Sequence, residues 1–290
     1  MYEFFLNIGK WNIQVRSRYP CPEDLYSVRG TYHDPDLVLE IVFPDDVRKG
    51  VFKKAQEFTI ENGLVHGLAY SERGTNCIRV WSENKCRHVG FSRLESLLAR
   101  VFYTLSGKEG YRSFLVHASA VARDNLGYVF LGPSGSGKTT VASRSLNEGI
   151  LLHDEIVILH ARDEYLYIQG GPFHTKLPVN TKLLVPLAAM FFLKQGNSLS
   201  IQPVKPSNVF VYLLNQIVPP MSFDLNAFQI NNVQMDAVWD LNTRLVNTIP
   251  GYTLEFSLED KFWSAIETLR NKDFNDSETP FHRCRIRGKS

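Results

Sequence analysis

The run Gly132-Pro133-Ser134-Gly135-Ser136-Gly137-Lys138-Thr139 fits the spacing G-x-x-x-x-G-K-[ST]. Glycines at these places let successive backbone N–H groups turn inward towards phosphate oxygens. The helix that follows adds the positive end of its dipole. In such a loop Lys138 reaches the terminal phosphates and the Thr139 hydroxyl ligates Mg²⁺. The expected ligands are therefore a nucleotide, ATP or GTP, and Mg²⁺, with the nucleotide held by Gly132, Ser134, Gly135, Ser136, Gly137, Lys138, Thr139 and Thr140.

Past the loop comes an acidic pair, Asp154-Glu155, in LLHDEIVIL. Phosphoryl transfer needs a metal held in place and an attacking hydroxyl aimed or deprotonated, and carboxylates supply both. Adjacent residues of an extended chain point to opposite sides, so two neighbouring acids divide these tasks more naturally than they share one. A turn bearing solvated acids is the alternative reading. Upstream of the loop, His117 stands in FLVHASAVAR. A lone strand histidine is usually satisfied by a backbone carbonyl, and this one acquires interest only from its neighbours.

The elements that must hold these groups are legible on either side. FLVHASAVAR and GYVFLG read as two strands joined by a hairpin turn over 124–127, the second leading straight into the loop. A helix through TTVASRSLNEG follows, with Gly149 as its stop. ILLHDE, then IVILHARDEYLYIQGG with a turn at 162–164, then AAMFFLKQ read as strands. Helices are expected over SNVFVYLLNQIV, capped by Ser207, and in parts of 222–247. YTLEF reads as a strand, and SLEDKFWSAIETLR opens on a capping-box pattern from Ser257 to Asp260. Before all this, Phe91, Leu94, Leu97, Leu98, Val101, Phe102 and Leu105 recur at helical spacing, with Ser92 as an early cap and SGKEGY (106–111) as the break. Residues before about 88 are β-prone, as in DLVLEIVF and CIRVW, with one helix expected around 45–58.

Composition narrows the class. A 290-residue chain, 44% hydrophobic and 21% charged, suits one large globular domain or a catalytic domain with a smaller one. A net charge of +2 gives no reason to expect nucleic acid or an anionic membrane as partner. Cys21, Cys77, Cys86 and Cys284 show no C-x-x-C spacing, which argues against a zinc site or disulfide framework. The opening MYEFFLNIGKWNIQV alternates like a strand and does not read as a signal peptide, so a cytoplasmic location is expected. Arg283, Arg285, Arg287 and Lys289 make the C-terminus a basic, solvated tail.

Together, His117, the Gly132–Thr139 loop and Asp154-Glu155, in that order, resemble the HPr kinase/phosphorylase family and, more distantly, ATP-dependent phosphoenolpyruvate carboxykinase. The close match runs from Leu115 to Leu159, about a seventh of the chain. It implies an α/β fold, a mixed-sheet HPr-kinase-like core, preceded by a β-rich subdomain. The implied boundaries are 1–88 for that subdomain, 89–272 for the kinase domain and 273–290 for a polar, basic tail. By position, Asp154 would act on the acceptor hydroxyl, Glu155 and Thr139 would support the metal with Asp154, and His117 would orient them beside Lys138. Two departures stand out. The family pair is normally Asp-Asp, and the acidic and Arg-Gly loop of HPr kinases is replaced by GGPFHTKLP (170–178), which argues against phosphorylase activity and HPr as acceptor. His174 in that stretch is a candidate substrate-side group.

The downstream run GPFH, PLAAMFFLKQG and PVKPSNVFVYLL resembles a branch of HPr-kinase-like proteins with an added N-terminal β region. Some of these modify ribosomal peptides, including lasso-peptide precursors. The expected activity is transfer of the γ-phosphoryl of ATP to a hydroxyl, a serine above all, of a peptide, protein or small molecule. HPr kinases form hexamers, so the resemblance implies a homo-oligomer, although no interface residue of this sequence carries it. An ABC-type ATPase is excluded because LSGKEG (105–110) precedes the loop and the acids come too soon. A small-molecule kinase and a nucleotide-binding scaffold without turnover remain open alternatives.

Overall fold

The computed structural model describes residues 1–17, 34–42, 56–60, 65–71, 77–81, 87–108, 112–162, 165–175, 177–219, 222–223, 230–231, 235–257 and 260–274. It divides into two compact units. The first comprises Met1–Tyr111, Pro172–Lys176 and Pro220–Gln234, and the second Arg112–Gly171, Leu177–Pro219 and Met235–Ser290.

In the first unit, β1 (Tyr2–Ile8), β2 (Trp11–Ser17), β3 (Leu37–Val42), β4 (Gln56–Ile60), β5 (Val65–Ser71) and β6 (Cys77–Trp81) form one sheet in the order β1-β2-β3-β6-β5-β4. The β2–β3 and β3–β6 pairs are parallel and the others antiparallel. The helix expected near 45–58 gives way to strand from Gln56, while 45–55 lie outside the described residues. α1 (Arg87–Lys108) is the long amphipathic helix. It runs past Ser106 and Gly107, where a break was expected, and it is grouped with this unit. Its Phe102 is buried edge-on to Trp11.

The second unit is built on a mixed sheet. Its strands are β7 (Ser113–Arg123), β8 (Leu126–Leu131), β9 (Ile150–His153), β10 (Ile156–Arg162), β11 (Tyr165–Gly170), β12 (Leu184–Gln195), β13 (Ser200–Pro203) and β16 (Gly251–Phe256). The order is β11-β10-β7-β8-β12-β16-β13, with β9 alongside β7. The β7–β8 hairpin turns on Asp124 and Asn125 alone, both left-handed as a two-residue I′ turn requires, so Gly127 belongs to β8. β8 is antiparallel to β7 but parallel to β12, which is parallel to β16. That is the mixed α/β sheet expected.

α2 (Lys138–Ser145) and α5 (Phe262–Phe274) contribute to one core with β8, β12 and β16. Phe130 stacks on Phe191, which stacks on Tyr252, and Trp263 meets Tyr128 and Phe130 edge-on. Aromatic side chains bury roughly 150–250 Å² each, so this cluster carries much of the unit's hydrophobic stabilisation. The polar edge of Trp263 is satisfied, its Nε1 donating to Ser145 Oγ at 2.9 Å, while Ser145 donates to Val141 O at 2.7 Å. The Ser257 backbone N–H donates to Asp260 Oδ2 at 2.6 Å, the side-chain half of the capping pattern read before α5.

α3 (Pro206–Leu214) is entered through Lys205 with Pro206 in its first turn, so Ser207 lies inside the helix and does not cap it. Proline suits that place because its missing N–H would have no helical partner there. α4 (Met235–Thr248) occupies only the end of the 222–247 region. Before it, β14 (Ser222–Phe223) and β15 (Ile230–Asn231) pair as short strands of the first unit.

Candidate functional site

β7 is buried along its length at every position but two, His117 and Arg123. The reason His117 escapes burial is a change of neighbour. β8 accompanies β7 from Leu126 to Leu131, opposite Ala118, and then leaves the sheet as the glycine loop. Beyond that point the segment after α3 takes its place. The His117 N–H donates to Gln216 O at 2.8 Å, Val116 and Ile217 form a bridge, and the Val218 N–H donates to Leu115 O at 2.9 Å. The loop therefore begins beside His117, at the end of a strand otherwise sealed in the core.

The loop folds tightly on itself. A Cβ at Gly132 would come within 2.4 Å of Ser136 Oγ, so only glycine allows the strand end and loop to approach this closely. Gly137 has φ +106 and precedes the first turn of α2, a conformation side chains disfavour. Lys138 is 7% exposed. Its Nζ donates to Gly132 O at 2.7 Å and Pro133 O at 3.2 Å. Burial pushes its pKa below the usual lysine value, and the negative charge of Glu155 opposes that shift. Gln195, at the end of β12, donates through Nε2 to Gly135 O at 2.6 Å and steadies the loop tip.

On the other side of β7 the chain passes from β9 to β10 through Asp154 and Glu155. Both strands are antiparallel to β7, and the Ala118 N–H donates to Glu155 O at 3.0 Å across the break. The two acids lie in the bend that links the strands, and they part there. Glu155 is turned outward, half-exposed, with Oε2 at 3.1 Å from His117 Nε2. Asp154 is buried, 5% exposed, with Oδ1 3.9 Å from Nδ1 of the fully buried His153.

A cavity of about 330 Å³ joins these parts. It is lined by His117, Ser134, Gly135, Gly137, Lys138, Thr139, Thr140 and Glu155, all of the second unit. Most of the residues singled out in the sequence thus face one space. Gly132 and Ser136 form the inner side of the loop, and the buried Ser136 Oγ has no hydrogen-bond partner among the described residues. Asp154 does not line the cavity. His174 belongs to the first unit, where its backbone N–H donates to Glu95 Oε1 at 2.5 Å.

Among the described residues, no cluster of three or more His, Cys, Asp or Glu side chains could hold a metal by itself. Mg²⁺ asks for less. It keeps several waters and takes one or two carboxylates plus substrate phosphates. The Thr139 hydroxyl and Glu155 carboxylate, both hard oxygen donors on the cavity wall, fit that requirement. The narrow loop with its inward lysine fits a nucleotide's phosphates.

A family model described as "SynChlorMet cassette protein ScmC" matches residues 80–271. The chain belongs to the ScmC family. The match includes every residue lining the cavity. No curated protein matches the sequence. Among solved structures, the HPr(Ser) kinase/phosphatase from Coxiella burnetii is similar at 14% identity with a TM-score of 0.31, over 56% of this chain and 98% of that one. In the described residues of this ScmC-family chain, no helix is long and apolar enough to cross a membrane.

Three residues near the site were not anticipated. Gln216, with its amide nitrogen turned inward, donates to both His117 O (3.3 Å) and Gly132 O (3.2 Å). Sequence offers no sign of this, because nearly a hundred residues and several elements separate it from His117. Gln195 is equally silent until β12 is known to lie beside β8. His153 did carry a signal, its position next to the acidic pair.

Proposed function

We propose that this protein is an ATP- and Mg²⁺-dependent phosphotransferase that passes the γ-phosphoryl of ATP to a hydroxyl of a peptide, protein or small molecule. The observation that carries the reading is the single cavity in which the loop, Lys138 and Thr139 face the His117–Glu155 pair. A phosphate-binding loop alone would suit any nucleotide-binding protein. The hydrogen-bonded carboxylate opposite it adds the second feature that transfer requires.

In this reading, the loop amides and Lys138 bind and orient the phosphates, and Lys138 exchanges its loop carbonyls for phosphate oxygens. Thr139 and Glu155 present oxygens to Mg²⁺, which when bound neutralises charge on the phosphates. His117 holds the Glu155 carboxylate in one orientation. The acid at the acceptor hydroxyl has two assignments: Asp154, from the resemblance to HPr kinases, and Glu155, from its place on the cavity wall. Either carboxylate is mismatched in pKa to an alcohol, so its main contribution is orientation of the hydroxyl, with positioning supplying much of the rate. A peptide serine is the preferred acceptor.

Burial of Asp154 favours a second reading, a nucleotide-binding regulatory or scaffold protein without transfer. Labelled-phosphate transfer from ATP in the presence of Mg²⁺ to serine-containing peptides separates the two. Transfer, or acceptor-stimulated ATP hydrolysis, supports the kinase. ATP binding with neither activity, across a broad set of hydroxyl acceptors, selects the scaffold.

A further inference from the structure

The link between β9 and β10 has to place one acid in the core and the other on the cavity wall. Short breaks in a strand leave backbone N–H groups without ladder partners, and a buried donor left unsatisfied is costly. Here the ring of His153 supplies the partner. Its Nδ1 accepts from the Glu155 N–H at 3.0 Å and from the Ile156 N–H at 3.1 Å, and the residue is wholly buried. A ring nitrogen that accepts carries a lone pair and no proton, so this arrangement puts the hydrogen on Nε2.

We propose that His153 is a positioning residue, which fixes the backbone of the acidic turn and thereby aims Glu155 at His117 and the cavity. One nitrogen holds the two amides that bracket the Glu155 carbonyl and side chain. Their common anchor sets the direction of the Glu155 side chain before any ligand arrives. The turn is tied on its other side by the Ala118 N–H, which donates to Glu155 O at 3.0 Å, so His153 and β7 together leave Glu155 little backbone freedom. Only an acceptor at the δ position of residue 153 can do this. The link from this turn to Mg²⁺ rests on the function proposed above, while the turn geometry does not.

Two substitutions separate the acceptor from the bulk of the ring. His153→Asn keeps an oxygen acceptor at the δ position and loses volume, whereas His153→Leu fills space and loses the acceptor. We expect amide hydrogen exchange at Glu155 and Ile156 to stay protected in the Asn variant and to accelerate about tenfold or more in the Leu variant. The Mg²⁺ concentration for half-maximal nucleotide binding should rise about 10-fold or more with Leu, as for the loss of a residue that orients a metal ligand, and change little with Asn. Nucleotide affinity in excess chelator should be the same in both. The opposite order, with Leu protected and Asn exposed, would make His153 a packing residue and overturn the proposal. If neither variant folds, the wild-type protein decides, because ring nitrogen NMR shifts showing a protonated Nδ1 would overturn it and an unprotonated Nδ1 coupled to the two amides supports it. Amide protection and ring shifts are read without nucleotide, so absence of Mg²⁺-dependent binding in the wild type counts against the proposed function alone.

Discussion

The two units are both built around sheets, and they differ in what their polar groups do. In the first, two ion pairs join neighbouring strands, Arg16 with Glu3 at 3.2 Å and Arg79 with Glu40 at 2.7 Å. These partly exposed pairs add little stability, and burial of residues such as Trp11, Leu39 and Phe102 does most of the holding. In the second, Lys138 is buried against its own loop's carbonyls, and a half-exposed histidine and glutamate face it across an open cavity. A cation held this way has partners that phosphate oxygens can replace. Similar sheet material thus serves packing in one unit and, in the other, leaves polar groups facing a cavity. What separates them is where a strand loses its neighbour.

That contrast can be broken or sharpened by experiment. The largest expected effect is at the loop: Lys138→Ala should lower phosphate transfer by about 10³-fold or more, or abolish nucleotide binding, while leaving folding intact. A fully active variant would remove the second unit's claim to the chemistry. Trp11→Ala tests the first unit's role as packing. Truncating a buried Trp typically costs about 3–5 kcal/mol, read as a fall in chemical-denaturation midpoint, and an unchanged midpoint would contradict it.

Next in size come the acids. Exchanging the acid that serves the acceptor for its amide should cost about 10²-fold in turnover with ATP affinity retained. Steady-state kinetics of Asp154→Asn beside Glu155→Gln therefore chooses between the two assignments, and a loss of Mg²⁺ affinity in Glu155→Gln would mark that residue as the metal's. His160, on β10, gives a smaller effect of another kind. Complete burial, with the positive charge of Arg162 adding to it, lowers its pKa from 6.5 to about 3, a shift that Gln169 opposes. Because the folded-state value lies below the unfolded one, the unfolded chain takes up the proton first as pH falls below 6.5. Stability should be fully present above that pH and be lost steadily on the way to about 3, by roughly 2 kcal/mol at about pH 5. Denaturation midpoints of His160→Leu should lack this acid limb. Smallest is His117→Ala, expected to slow transfer about tenfold if the residue orients Glu155, with unchanged turnover returning it to a purely structural role.

Much of the second unit was legible in the chain itself. The loop spacing, the hairpin before it and the helix after it depend on local rules: glycine at special backbone angles, β-branched and aromatic runs, a turn of Asp and Asn. Short-range chemistry of this kind leaves its mark in adjacent residues, so the order histidine, loop and acidic pair could be read along the sequence. Asp154 and Glu155 part as neighbours in an extended chain would, although they sit in the bend between β9 and β10. Other expectations failed where local signals competed. Ser207 resembles a helix cap, yet Pro206 starts α3 one residue earlier, and Gly127 resembles a turn residue, yet Asp124 and Asn125 complete the turn without it.

Only the tertiary structure decided which acid reaches the cavity. A period of two says that neighbours diverge but not which side is the interior, because that depends on the packing against β7. The same holds for Gln216, Gln195 and α1, whose partners come from distant segments and whose roles no local pattern encodes. The sequence thus determined the G-x-x-x-x-G-K-[ST] spacing of the loop and the inventory of polar groups around it. Long-range pairing of β7 with 216–218, β8, β9 and β10 decided which of those groups share a space, since contacts between distant residues are fixed by burial and register and not by spacing along the chain.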